Sequence, residues 1–319
     1  MKQSVEDRHT LKNPSMKPRA LVPGDTIALV TPASPLSGSK LGPTIELLED
    51  EGYKVVVAPH ALESDGYLAG SDQHRAADLQ NAFDDPGVDA ILCNRGGYGS
   101  ARLLPYLDFD RMAASRKLFA GFSDITTLHL ALNRRGLPTL HSPMVLSLFY
   151  PREPYVYDAF RRALKGDLTM PLEAPKPSTV VGGAAVGESV GGCLCLLTDS
   201  IGTPEALDAE GKILFIEDVD EAPHRVDAMF THLLNADIIQ KAAGIVIGEM
   251  TRTDEKADKD IGERSWREIV EERLGRLGIP LIVDFPFGHK KVMLPVALGV
   301  KVRLDSDAGT VTYLESICD

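Results

Sequence analysis

The chain has 319 residues, 44% hydrophobic and 25% charged, with a formal net charge of −12. Length and balance suit two globular domains with real cores, and the acidic charge disfavours nucleic-acid and anionic-membrane partners while leaving small substrates open. No apolar run is long enough to span a bilayer, and "MKQSVEDRHTLKNPSMKPRA" lacks the apolar core of a secretory signal, so a cytoplasmic protein is expected.

Residues 1–17 are polar and aperiodic, and are expected to form a flexible arm. From Thr26, strand and helix signals alternate. "TIALVTPAS" reads as a buried strand, "LGPTIELLEDEGY" as a helix stopping at Gly52, and "YKVVVAP" as a second strand. "SDQHRAADLQNAFDDPG" is a helix with a serine or aspartate cap and a Gly87 stop. "VDAILCNRGGYGS" is a strand that breaks into glycines, "KLFAGFSDITTLHLALNRRG" repeats the strand-to-helix move, and "LPTLHSPM" is another strand. This alternation predicts a mostly parallel sheet with helices on both faces. A short helix ends near Lys165, and residues 166–185, rich in Pro, Gly and small side chains, read as a linker. Beyond it, "KILFIEDV", "AAGIVIGEM" and "PLIVDFPFG" are strands separated by helices, and "ALGVKVRLDSDAGTVTYLE" is a hairpin with an Asp-Ala-Gly turn. The expected division is an arm at 1–17, an α/β domain at 18–165, a linker at 166–185 and a second domain at 186–319.

Four cysteines occur, Cys93, Cys193, Cys195 and Cys318, a thin content that suits a reducing compartment. Cys193 and Cys195 form a C-x-C rather than a zinc-type C-x-x-C, and buried packing is favoured over a metal there.

In open parallel sheets, ligands bind at the C-terminal ends of the strands. "NRGGYGS", residues 94–100, sits at such an end without P-loop or G-x-G-x-x-G spacing. Gly96 and Gly97 either bring backbone N–H groups close to a ligand, as half of an oxyanion hole, or make a tight turn. Ser123 lies at a strand-to-helix corner, where the Asp124 N–H could stabilise an oxyanion. Its neighbours alone favour a helix cap, because Gly121-Phe122-Ser123-Asp124-Ile125 lacks the G-x-S-x-G spacing. A serine nucleophile needs a base and an acid. His289 follows "DFPFG" at a strand end, whereas His9, His74, His129 and His232 fall in the arm or in helices, and His60, His141 and His224 in loops or at element ends. Glu217 ends the apolar "KILFIE" and could hold an imidazole, although its acidic neighbours favour a surface loop. The order Ser123, Glu217, His289 matches the α/β-hydrolases.

Five segments in series, "PGDTIALVTPASP", "RAADLQNAFDDPGVDAILCNRGGYGSARLLPYLDFD", "LFAGFSDITTLHLAL", "GKILFIEDVDEAP" and "FPFGHKKVMLPVALGVKVRLD", resemble the LD-carboxypeptidase family in the family's order. These serine peptidases include murein tetrapeptide carboxypeptidases and microcin C self-immunity proteins. The resemblance implies Ser123 as nucleophile, Glu217 as acid, His289 as base, and the Gly97 and Asp124 N–H groups as oxyanion hole. It implies an N-terminal flavodoxin-like α/β domain, a smaller C-terminal domain with a β-barrel-like core, a homodimer, and no metal or other cofactor. Ser142 and Cys193 stand where the family usually has glycine and asparagine, and His224 and Ala228 where an aromatic and an arginine are more familiar.

The expected activity is removal of a C-terminal D-alanine from a cytoplasmic murein tetrapeptide, a small peptide, during cell-wall recycling. Arg95, with Gly96 beside it, is a candidate for binding the leaving carboxylate, or else forms a structural ion pair. The alternatives are a microcin C-type peptidase acting on peptidyl or aminoacyl nucleotides and a non-catalytic ligand-binding protein. An aromatic platform before the acid would favour the nucleotide, but residues 183–216 hold only Phe215, and Trp266 lies far off in sequence.

Overall fold

The computed structural model describes residues 16–319, so the expected arm lies almost wholly outside the described residues. The chain opens with β1 (Thr26–Val30), α1 (Gly42–Asp50), β2 (Lys54–Val57), α2 (Asp72–Asp84), β3 (Ala90–Cys93), α3 (Phe109–Ala114), β4 (Leu118–Gly121), α4 (Thr126–Arg134) and β5 (Thr139–His141). The five strands pair in parallel in the order β2-β1-β3-β4-β5. Alternate residues serve opposite faces: Ile27 and Leu29 enter one core, Ala28 and Val30 another. Both faces are covered, which is why these strands read as continuous apolar runs. The strand order reverses at β1, and a crevice opens between the loops after β1 and β3.

α5 (Val145–Phe149) and α6 (Pro154–Leu164) lead to β6 (Ser178–Val181), β7 (Ala184–Cys193), α7 (Leu194–Asp199), β8 (Ile213–Val219), α8 (Pro223–Asn235), β9 (Gly244–Thr251), α9 (Trp266–Arg273) and β10 (Leu281–Val283). β11 (Val296–Leu298), β12 (Lys301–Asp305) and β13 (Thr310–Tyr313) complete the chain. The second sheet runs β13-β12-β7-β8-β9-β10-β6, parallel from β7 to β10 and antiparallel outside, curled into a half-barrel. Among the described residues, no helix is long and apolar enough to cross a membrane.

Several elements depart from the sequence reading, β6 and β11 most informatively. β6 lies inside the stretch expected to be a linker, where it pairs with β10 at the sheet edge. An edge strand needs only one partner, so a short, half-exposed segment among prolines and glycines suffices. β11, from the expected second domain, crosses to the first sheet and pairs antiparallel with β5, Val296 opposite His141. One core consequently holds Leu118 and Leu140 of the first sheet together with Phe215 and Val302 of the second.

Candidate active site

At the end of β4 the chain turns sharply into a short 3-10 turn, Ser123–Ile125, and then α4. Ser123 occupies the left-handed region with φ +65°, a conformation that costs a non-glycine residue about 1–3 kcal/mol. Asp124 holds the corner in place. Its buried carboxylate accepts the Ser100 N–H at 2.8 Å, and the Ser100 hydroxyl donates to the Asp124 carbonyl at 2.5 Å. Burial pushes the Asp124 carboxyl up, and hydrogen bonds from Ser100 and Gly99 only partly offset it. The N-cap position falls on Phe122 rather than on Ser123, and no side-chain bond caps the turn. The cap favoured by the neighbours of Ser123 is thus absent, and Ser123 Oγ lies 3.1 Å from His289 Nε2.

His289 follows β10 in a loop, its ring 4.7 Å from that of Phe122. Its Nδ1 lies 2.6 Å from Glu217 Oε2, and its backbone N–H donates to the same oxygen at 3.1 Å. The preceding Gly288 has φ +88°, and a Cβ there would lie 2.6 Å from the Glu217 side chain. A carboxylate at Nδ1 assigns the proton to that nitrogen, leaving Nε2 free to accept from the serine hydroxyl. Burial disfavours the imidazolium, but Glu217 outweighs it and lifts His289 above its ordinary value of 6.5.

Glu217 sits within β8 and is 0% exposed, not on a surface loop. Burial alone would raise its carboxyl. His289 and His141 reverse that and hold it well below the usual carboxylate range. His141 ends β5, fully buried, with Nε2 3.7 Å from Glu217 Oε1. Neither of its ring nitrogens, nor Glu217 Oε1, has a hydrogen-bond partner within the described protein. Sequence reasoning placed His141 among the histidines in loops or at element ends and gave it no role. The available signal was its position at the C-terminal end of a strand in the same sheet as Ser123. His141→Ala is expected to lower kcat about tenfold, ~1.4 kcal/mol, by removing the buried ring that faces Glu217 Oε1 and helps to keep the carboxylate ionised. Steady-state kinetics would check this, and an unchanged kcat would leave Glu217 oriented by His289 alone.

The glycine loop packs directly against this corner. A Cβ on Gly96 would lie 2.8 Å from Ser123 Cβ and 3.2 Å from the Asp124 nitrogen. Gly97 has φ +104°, and a Cβ there would meet Ser34 Oγ at 2.3 Å. Ser34, in the loop after β1, donates its N–H to the Gly96 carbonyl at 3.1 Å. Close approach and left-handed turn are therefore both present. Asp124 N–H stands in the first turn of a helix, where no intrahelical acceptor exists.

Ser123, His289, Gly96 and Gly97 line a cleft of about 640 Å³. In a chain of net charge −12 this cleft is basic: Arg95, Arg152, Arg252, Lys290 and Lys291 line it, against one acid, Asp220. Arg252 pairs with Asp220, Lys290 with Glu249 and Lys291 with Glu153. Arg152 spends its donors on the Ser147, Lys290 and Lys291 carbonyls. Arg95 donates to the Pro35 carbonyl at 2.8 Å and has no acid partner among the described residues, so the alternative of a structural ion pair is not realised. Ser142 and Cys193 are buried, His224 and Ala228 exposed, and none of the four lines the cleft.

Family models describe the same chain. Residues 27–142 match the LD-carboxypeptidase N-terminal domain and residues 186–304 the LD-carboxypeptidase C-terminal domain. A Streptomyces coelicolor protein provisionally named a carboxypeptidase is 40% identical over 303 residues, covering 93% of this chain and 96% of its own. The murein tetrapeptide carboxypeptidase of Pseudomonas aeruginosa is 34% identical over 273 residues, covering 82% and 87%. The wild-type apo structure of the microcin C7 self-immunity protein MccF superposes with a TM-score of 0.85 at 26% identity, covering 95% of this chain and 99% of that one.

Proposed function

This chain belongs to the LD-carboxypeptidase family and is a serine peptidase, and from that premise we propose that Ser123, His289 and Glu217 are its catalytic triad. The observation that carries this reading is the continuous line Ser123 Oγ to His289 Nε2 at 3.1 Å and His289 Nδ1 to Glu217 Oε2 at 2.6 Å, opening on the cleft. Ser123 Oγ attacks the substrate carbonyl as His289 Nε2 takes its proton. Glu217 fixes the tautomer and stabilises the imidazolium. The Gly97 and Asp124 N–H groups receive the oxyanion, each donor contributing about 3 kcal/mol. The imidazolium then protonates the leaving amine, and water, activated by the same histidine, releases the acyl group.

The substrate is a murein tetrapeptide, cleaved between its diamino acid, meso-diaminopimelate or lysine, and the terminal D-alanine. The work belongs to cytoplasmic cell-wall recycling by a homodimer. An anionic peptide suits a basic cleft, and Arg95, with Gly96 beside it, receives the carboxylate of the leaving residue. Arg95→Ala is expected to lower kcat/KM about 10–100-fold, the range of a hydrogen bond to a charged group, and to have little effect on a C-terminally amidated peptide. An equal loss on both peptides would give Arg95 a structural role.

The nucleotide reading lacks the aromatic platform expected before the acid, although Phe122 and Tyr150, from other segments, line the cleft. Phe215 is fully buried, Trp266 is buried in α9, and neither lines the cleft. Incubation with a murein tetrapeptide and, separately, with an aminoacyl sulfamoyl-adenosine, read by mass spectrometry, distinguishes the two. D-alanine release from the first supports the murein reading, whereas cleavage of the nucleotide conjugate alone overturns it. Because His289 acts as a base only when neutral, the acidic limb of kcat/KM is expected above pH 6.5, the ordinary imidazole value. A limb below that value would detach the activity from this histidine.

A further inference from the structure

Behind the acid lies a second cluster that the proposed hydrolysis does not use. Cys193 ends β7 and precedes α7, Cys195 lies in the first turn of α7, and Asp218 follows Glu217 in β8. Cys193 pairs in register with Glu217. Neighbouring strand residues face opposite ways: Glu217 reaches His289, and Asp218 reaches the cysteines. The two sulfurs are 3.5 Å apart, Cys193 Sγ is 3.4 Å from Asp218 Oδ1, and the ligand atoms of all three residues lie within 4.8 Å of one another. Both cysteines are free thiols.

Tetrahedral zinc, with Zn–S near 2.3 Å and Zn–O about 2.0–2.2 Å, needs S···S of about 3.8 Å and S···O of about 3.5 Å. The Cys193–Cys195 and Cys193–Asp218 separations match these edges to within a few tenths of an ångström. The carboxylate is already oriented: Asp218 accepts the Val219 N–H at 2.7 Å and the Cys195 N–H at 2.8 Å. It is 1% exposed yet has no cationic partner among the described residues. A buried carboxylate without a cation is costly, and packing alone does not call for one against two thiols. Cys195 is half-buried and gives access from the surface.

We propose that Cys193, Cys195 and Asp218 bind one thiophilic divalent cation of the zinc class, through two thiolates and one carboxylate oxygen. Two thiol protons leave as two positive charges arrive, so the net charge beside Glu217 is unchanged. The ion ties β7, α7 and β8 together behind the acid and takes no part in the hydrolysis.

The test uses the full chain, stripped with a chelator and kept reduced with a phosphine. Titration with cobalt(II) is expected to give a near-ultraviolet thiolate-to-cobalt charge-transfer band that saturates at one equivalent per chain and is displaced by zinc. Zinc is also expected to raise Tm, since it binds only the folded site. The band should vanish in Cys195→Ser, a half-buried position where folding is retained, and in Cys193→Ser where that variant folds. It should persist in His74→Ala, which disables the other group of potential ligands, His60, Glu63 and His74. No band at saturating cobalt, or a band that survives Cys195→Ser, overturns the proposal. Neither result bears on the triad.

Discussion

Ser123→Ala is expected to lose about 10⁶-fold in kcat, the scale seen when a serine nucleophile is removed and only binding and oxyanion contacts remain. Tm should barely move. Alanine carries a Cβ as serine does, so the left-handed corner at φ +65° is no more strained in the variant. The deleted hydroxyl is half-buried and bonded only to His289, not to the helix end. Ser123→Gly makes a sharper comparison. It should be equally inactive, yet more stable than the alanine variant by about 1 kcal/mol, because glycine adopts that conformation without penalty. Product release by mass spectrometry and thermal unfolding read the two effects separately. Residual turnover within a hundredfold of wild type would place the nucleophile elsewhere.

Glu217→Gln should cost about 10⁴-fold in kcat, as when the acid of such a triad is made neutral and the imidazole takes the wrong tautomer. The more diagnostic change is in pH dependence. Glu217 is what lifts His289 above its ordinary value against the effect of burial. Without that charge, burial prevails and the imidazolium is destabilised, so the acidic limb of kcat/KM moves to lower pH. Loss of rate with a stationary limb would mean that Glu217 is not the partner of the catalytic base. Because glutamine has nearly the volume of glutamate, the strand should remain intact.

The parallel sheet was readable because strands covered on both faces are continuous apolar runs, and because glycine or proline marks most of the turns. Ser123 and His289 were readable as side chains at strand ends. Glu217 was misjudged from its neighbours: "EDVDE" has the composition of a surface loop, yet β8 carries its first two acids into the interior. What makes that burial tolerable is two histidines lying 72 and 76 positions away in sequence, His289 after Glu217 and His141 before it. No local pattern reports such a pairing. The helix cap at Ser123 failed for a similar reason. Asp124 secures the corner through Ser100, 24 residues away, so the serine side chain is not needed for capping. β6 was missed because it lies among prolines and glycines, and β11 because the expected hairpin ran it together with β12 across Gly299.

The crossing of β11 bears on how the molecule is made. During synthesis the first sheet is produced long before residues 296–298, and until they emerge β5 presents an unsatisfied edge. Ser123 is likewise translated well ahead of Glu217 and His289. On the proposed triad, the nascent chain carries its serine with no base to activate it until residue 289 is added, and a chain halted before that point holds an unfinished sheet without hydrolytic competence. On that reading, closing the sheet edge and arming the serine fall to neighbouring stretches of the same chain, 296–298 and 289.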